Sequence, residues 1–290
     1  MTHATDTIRP LILVANDDGF QAQGLRAAVQ AVWGLGDVRV AVPRVQQSAT
    51  SRSLPNTVLD VAEATLQIEG AEVCVITLQG TPAQAVQYAL NYWCPRRPAL
   101  LVSGINHGEN LGTDITASGT VGAAIEGACV GIPALAVSLE TDPQHHHGNG
   151  DGLDFTAAIA FTRRFAAHVL AHGLPAGVDI LKIDVPADAT LDTPWQLARA
   201  SRQCYWVPGE VRPDPAHPAR RKVSYHRSSR RFQAEPGSDI TALAVRRRVA
   251  VVPLTIDLTA QDGWEELARD LGLPAIDEPG SLDSATAIPE

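Results

Sequence analysis

The chain has 290 residues, of which 45% are hydrophobic and 19% charged, an ordinary balance for a folded globular protein of one large α/β domain or two smaller ones. Its formal charge is −9, from 23 basic and 32 acidic residues, which argues against nucleic acid as a partner, because nucleic-acid binders carry a basic footprint. No apolar run approaches the roughly 20 residues that span a bilayer, and the polar start MTHATDTIRP lacks the apolar core of a secretion signal, so no membrane contact and a cytoplasmic location are expected.

In chain order, LILVA at 11–15 is a continuous apolar run that ends in a turn signal, which predicts a strand buried on both faces in a parallel sheet. Residues 24–33 read as a helix and DVRVAV at 37–42 as a second strand. TVLDV, LQIEG and VCVITL, between about 57 and 79, read as strands joined by short turns. A helix over 82–92 opens on Pro82, a favoured first helical residue. Then follow a strand at 99–105, a glycine-rich loop, a helix at 119–130, a strand at 133–139, a helix at 154–172 and a strand at 180–185. This alternation predicts a doubly wound α/β core over 1–186.

The remainder differs. Residues 187–248 are rich in Pro and Arg, lack helical periodicity and include the basic stretch RPDPAHPARRKVSYHRSSRR, and with the strand candidate at 249–258 they belong to a segment over 187–262. They read as an extended, β-rich oligomerisation arm. Residues 263–290 read as a short helix followed by a disordered tail. Cys74, Cys94, Cys129 and Cys204 form no CxxC pair and read as small buried hydrophobes, with neither a zinc site nor disulfides implied.

In open α/β sheets ligands bind beyond the carboxyl ends of the strands. Three unusual stretches fall at such ends: NDDG (16–19), PRVQQSATSRS (43–53) and SGINHGENLGTDITASGT (103–120). Asn, Asp and Gly are ordinary turn residues, so NDDG alone has a plain structural reading. Adjacent Asp17 and Asp18 nevertheless repel, and a cation or a proton must relieve that. With the Ser48 hydroxyl and the Asn106 amide carbonyl they form a hard, oxygen-only donor set, suited to one Mg²⁺ or Mn²⁺ per subunit rather than zinc or copper. Gly104, Gly108, Gly112, Gly119 and Gly122 let backbone N–H groups approach an anion, and SGT opens a helix whose N-terminus favours negative charge. The phosphate-binding set expected from this is Asn16, Ser103, Gly104, Asn106, Gly108 and Asn110, with Ser118, Gly119 and Thr120 at the helix start. The spacing is neither GxGxxG nor GxxxxGK[ST], which argues against dinucleotide binding and against a P-loop.

Other polar residues have two readings each. His107 is either an acid or supporting residue at the site or a solvent-facing loop side chain. Asp114 either binds a backbone turn or reaches the metal indirectly, and Asp239 enters a neighbour's site or not at all. His145, His146 and His147 are expected in a solvated loop. The basic arm pairs with acidic groups of a neighbouring subunit or collects phosphorylated substrates.

NDDG, the serine of QQSATSRS, GTPAQAV and SGINHGENLGTDITASGTVGAAIEG closely resemble the SurE family, the stationary-phase survival proteins. The resemblance is strong over about 10–140 and weaker through ILKIDVP, GSDITAL and VAVVPLTIDLT. It implies a Rossmann-like core, metal ligation by Asp17, Asp18, Ser48 and Asn106, and a C-terminal arm exchanged between subunits of a homodimer or homotetramer. It further implies hydrolysis of nucleoside monophosphates by a metal-dependent 5′/3′-nucleotidase, with polyphosphate cleavage in some members. The expected chemistry is metal-assisted phosphomonoester hydrolysis, with Asp17 and Asp18 as catalytic residues and either water or an aspartate as nucleophile. A nucleotide-binding regulatory protein without turnover is the alternative. Ala49 stands where the family has glycine after the metal-binding serine, Ala117 where it has tyrosine, and Gln84 where it has aspartate. Ile240 and Thr241 depart from the usual aromatic and small polar residues after the arm's aspartate.

Overall fold

The computed structural model describes residues 9–214, 216–217, 219–260 and 262–272. The tail expected from 277 onward lies outside the described residues. Contacts divide the chain into two compact units that meet between Ile256 and Asp257.

The first unit holds a nine-stranded sheet in the order β3-β4-β2-β1-β5-β6-β7-β11-β8. The strands are β1 (Leu11–Ala15), β2 (Asp37–Pro43), β3 (Val61–Ile68), β4 (Ala71–Leu78), β5 (Leu100–His107) and β6 (Ala134–Leu139). They continue with β7 (Ile180–Val185), β8 (Trp195–Leu197), β9 (Trp206–Pro213), β10 (Arg221–Arg227) and β11 (Val249–Leu254). β3 runs antiparallel to β4, and β11 antiparallel to β7, while every other pair in this sheet is parallel. β9 and β10 pair with each other as a separate antiparallel ribbon.

Helices cover both faces. α1 (Gln23–Val32) and α4 (Thr156–His172) pack on one side, α2 (Pro82–Tyr88) and α3 (Gly119–Ala128) on the other. β1 shows why a continuous apolar run was needed. Its alternate residues Ile12 and Val14 enter the core under α1 and α4, while Leu13 and Ala15 enter the core under α2 and α3. The doubly wound α/β arrangement expected from the alternation is therefore the arrangement found.

Three expectations change. TVLDV lies mostly in the long connection before β3, so two strands occupy the region read as three. The strand expected over 249–258 stops at Leu254. Cys74, Cys129 and Cys204 are exposed and Cys94 half-buried, all as free thiols, rather than buried. Cys74 falls on the exposed alternation of β4, and Cys129 on the C-cap of α3, positions that a local apolar count does not separate from the core. The position 186 falls between β7 and β8 of one sheet, since β8 and β11 extend it beyond β7. In the second unit, α5 runs from Trp264 to Asp270, as the helix expected over 263–271.

Candidate active site

Strands β1 and β5 are neighbours, yet the chain leaves β1 toward β2 on one side and β5 toward β6 on the other. Ligand crevices of doubly wound sheets form at such a reversal. Asn16, Asp17 and Asp18 follow β1, and Asn106 and His107 end β5, so both halves of the expected donor set face this point.

Asp17 and Asp18 are buried, at 4% and 6% exposure. Thr120 Oγ1 donates to Asp17 Oδ1 at 2.6 Å, and the Gln47 N–H donates to the Asp17 carbonyl at 2.7 Å. Asp18 Oδ2 accepts the His107 N–H at 3.0 Å, and Asp18 Oδ1 accepts from Gln46 Nε2 at 3.0 Å. Among the described residues no lysine or arginine pairs with either carboxylate. Burial, and for Asp17 the charge of Asp18 beside it, push both carboxyls well above the usual carboxylate range, Asp17 to about 7. The site is an acidic pair whose charge the protein itself leaves uncompensated.

Gly119 brings α3 onto this pair. A Cβ at Gly119 would lie 2.8 Å from Asp17 Oδ2, so only glycine lets the first turn of the helix press against the carboxylate. Ser118 caps the helix by accepting the Val121 N–H at 3.2 Å. The first-turn N–H groups of Gly119 and Thr120 have no intrahelical acceptor, as at any helix start, and together with the dipole they favour a negative group there.

The loop after β2 is tied in at several points. Gln46 and Gln47 bind the acidic pair, the Ser51 N–H donates to the Ala117 carbonyl, and Thr81 Oγ1 donates to the Ser53 carbonyl at 2.6 Å. Ser48 follows Gln47 and is exposed. Ala49 adopts φ +59 and Ser51 φ +52, a left-handed turn that explains why glycine suits position 49. Gln84 completes a capping box with Thr81 and donates to the Pro55 carbonyl at 2.8 Å, a structural task for the family departure at this position.

At the end of β5 the pairing with β6 shifts register between Ser103 and Asn106. Gly104 at φ +135 makes this possible, because a Cβ there would meet the Val137 carbonyl at 2.4 Å. The irregularity re-aims Asn106. Asn106 Nδ2 donates to the Gly108 carbonyl at 2.7 Å, which leaves its Oδ1 as an acceptor toward a cation. Asn16 Nδ2 donates to the Gly19 carbonyl, while its Oδ1 is buried without a partner. Two uncompensated carboxylates with amide and hydroxyl oxygens fit a hard divalent cation. No group of three or more His, Cys, Asp or Glu side chains able to hold a metal occurs among the described residues, so this mixed oxygen set is the candidate.

The glycine-rich loop is less open than expected. The Gly108 N–H donates to the Leu139 carbonyl, the Asn110 N–H to Asp184 Oδ1, and the Gly112 N–H to Asp239 Oδ2. Ser103 is fully buried in β5 with an unpartnered hydroxyl. Asn106 Nδ2 and Asn110 Nδ2 each donate once already, to the Gly108 carbonyl and to Ser138 Oγ, so their second N–H groups and the start of α3 are the donors left for an anion, rather than the loop amides of Gly108 and Asn110.

His107 is 3% exposed and does not face solvent. Its Nε2 accepts the Gly24 N–H at 3.3 Å, and burial lowers its pKa to about 4, so it is neutral with the proton on Nδ1. Asp114 binds the Tyr205 and Trp206 N–H groups at 3.0 and 2.7 Å. Asp239 is fully buried within its own chain. His146 departs from the solvated loop expected for it: its carbonyl accepts from Gln46 at 2.6 Å, and its ring lies 5.1 Å from that of Trp206. Gln46, which joins Asp18 to His146, and the buried Lys182–Asp184 pair were missed. Two charges inside the apolar strand ILKIDV were the available signal for the latter.

The fold and site define a doubly wound α/β protein with an acidic, oxygen-donor centre at the switch point of its sheet. The family described as Survival protein SurE matches residues 12–206, and the chain belongs to that family. It is 41% identical over 261 residues to the 5′-nucleotidase SurE of Thermococcus kodakarensis, covering 90% of this chain and 98% of that one. It is 43% identical over 261 residues to the 5′-nucleotidase SurE of Thermococcus gammatolerans, covering 90% and 95%. The crystal structure of the SurE protein from Aquifex aeolicus matches with a TM-score of 0.71 at 27% identity, covering 90% of this chain and all of that one.

Proposed function

We propose that this protein is a 5′-nucleotidase, a phosphoric monoester hydrolase that acts on nucleoside monophosphates with one divalent cation, Mg²⁺ or Mn²⁺, per subunit. The observation that carries this reading is the buried, uncompensated Asp17–Asp18 pair under the N-terminus of α3. The names of the Thermococcus relatives support the same activity.

Asp17 and Asp18, with oxygens of Ser48 and Asn106, hold the cation, which supplies positive charge to the phosphoryl group when bound. Thr120 and the α3 N-terminus orient Asp17, and Gln46 and the His107 N–H orient Asp18. The phosphate sits between this pair and the helix start, where the Gly119 N–H and the side chains of Asn106 and Asn110 bind its oxygens. One of the two aspartates takes a proton from the attacking water. An aspartyl-phosphate route uses the same residues. His107, neutral and occupied by Gly24, supports Asp18 rather than donating a proton.

Release of inorganic phosphate from AMP, other nucleoside monophosphates and polyphosphate, with Mn²⁺ or Mg²⁺ and with chelator, tests the reading. Cation-dependent release from nucleoside monophosphates is the expected result, and polyphosphate turnover is the additional activity. Nucleotide binding without release would favour a regulatory binder. A phosphoenzyme trapped on Asp17 would replace water by aspartate as nucleophile. The basic β9–β10 ribbon, with Val211 and Tyr225 exposed, serves as the arm of a homodimer or homotetramer in this reading.

A further inference from the structure

Three charged side chains lie fully buried beside the glycine-rich loop: Lys182 and Asp184 on β7, and Asp239 from the C-terminal part of the unit. Lys182 Nζ pairs with Asp184 Oδ2, lies 3.2 Å from Asp239 Oδ2, and donates to the Asn110 carbonyl at 2.7 Å. Asp184 Oδ1 accepts the Asn110 N–H at 2.8 Å. The Lys182–Asp184 pair therefore grips both polar backbone atoms of one loop residue. Asp239 Oδ2 accepts the Gly112 N–H at 3.0 Å, while its Oδ1 accepts the Ser201 and Ile240 N–H groups, each at 2.9 Å.

Such a cluster is costly to bury, and replacing a buried ion pair by apolar residues is often neutral or stabilising. Stability alone does not explain its presence. What the cluster does uniquely is fix the peptide units of Asn110 and Gly112, in the loop that follows Asn106. Asn110 Nδ2 in turn reaches Ser138 Oγ at 2.8 Å, so the residue is held at backbone and side chain together. Burial works against charge on Lys182, but Asp184 and Asp239 outweigh it and keep the ammonium charged.

We infer that Lys182 is a positioning residue: locked between Asp184 and Asp239, it holds the Asn110–Gly112 stretch, directly after the end of β5, in the register in which the Asn110 amide meets the substrate phosphate. The inference rests on the nucleotidase reading for the identity of that anion. It also makes the C-terminal segment around Asp239 a part of the site's support, although that segment touches no reacting atom.

The test is the full chain carrying Lys182→Met with Asp184→Asn. This pair of changes removes the Lys182 and Asp184 charges together, keeps an acceptor for the Asn110 N–H, and leaves the Asp239 carboxylate with its three N–H donors. Hydrogen exchange of the 107–113 amides, KM for AMP and inhibition by inorganic phosphate are read against the melting temperature. The inference expects faster exchange in the loop with β1 and β6 unchanged. It also expects KM and the phosphate inhibition constant to rise about tenfold, the scale of losing a supporting partner of a site residue. A folded variant with unchanged loop exchange and unchanged phosphate inhibition overturns it, even if its melting temperature falls. Asp239→Asn, which keeps the Lys182–Asp184 pair, is read in the same way and decides the matter if the double variant does not fold. If the native chain releases no phosphate from AMP, the nucleotidase reading falls, and loop exchange still decides whether the cluster positions the loop.

Discussion

Asp17 and Asp18 concentrate the physics of the site in two residues. Their pKa values lie above those of an unfolded chain, so the folded state binds more protons than the unfolded one between the ordinary carboxylate range near 4 and about 7. The cation-free protein should therefore lose stability as pH rises through that window. A divalent cation should restore it, more at pH 7.5 than at pH 5, with release of protons on binding. Melting temperature against pH, with and without Mn²⁺, reads this directly. Asp17→Asn should flatten the cation-free slope, and an unchanged slope would show that the pair is not the source. Ala49 gives a second test. At φ +59 it is strained where glycine is not, so Ala49→Gly should be neutral or stabilising by up to about 1 kcal/mol in denaturant unfolding. A clear loss of stability would contradict the left-handed turn.

At the scale of elements, β5 does more than contribute a strand. Its register shift, permitted by Gly104, turns the end of the strand toward the acidic pair. Gly104→Ala would drive a methyl to within 2.4 Å of the Val137 carbonyl at an unfavourable φ. A loss of about 2 kcal/mol or more in urea unfolding is expected, with weaker Mn²⁺ binding in whatever remains folded. The sequence carried the elements around this strand plainly. β1, β5 and β6 are apolar runs of strand length, and helices α1, α3 and α4 follow turn or capping signals. TVLDV misled because a short β-branched run looks the same in an anchored loop as in a strand. The candidate site was legible from a coincidence: NDDG alone reads as a turn, but three such stretches fall at the carboxyl ends of neighbouring buried strands, one of them with adjacent Asp17 and Asp18. The Lys182–Asp184–Asp239 cluster was not, because its members meet only through the pairing of β7 with β11 and the return of the chain near Gly112.

For the whole molecule, sheet topology turns separate loops into one crevice. The reversal between β1 and β5 places NDDG, the Gln46–Ser48 loop and the glycine-rich loop at the same edge. The net charge of −9 coexists with a strongly basic ribbon, a contrast suited to contact between subunits. Light scattering of the full chain should give a dimer or tetramer that weakens with added salt, and a salt-independent monomer would remove the arm's proposed role. The central claim is that the Asp17–Asp18 pair holds a cation for phosphoryl hydrolysis. Its most direct measurement is phosphate release from AMP by the native chain and by Asp17→Asn, each with Mn²⁺ and with chelator. The account predicts turnover that chelator abolishes and Mn²⁺ restores, and a fall of at least about 100-fold in the variant. Turnover that survives chelator, or full activity in Asp17→Asn, would contradict it.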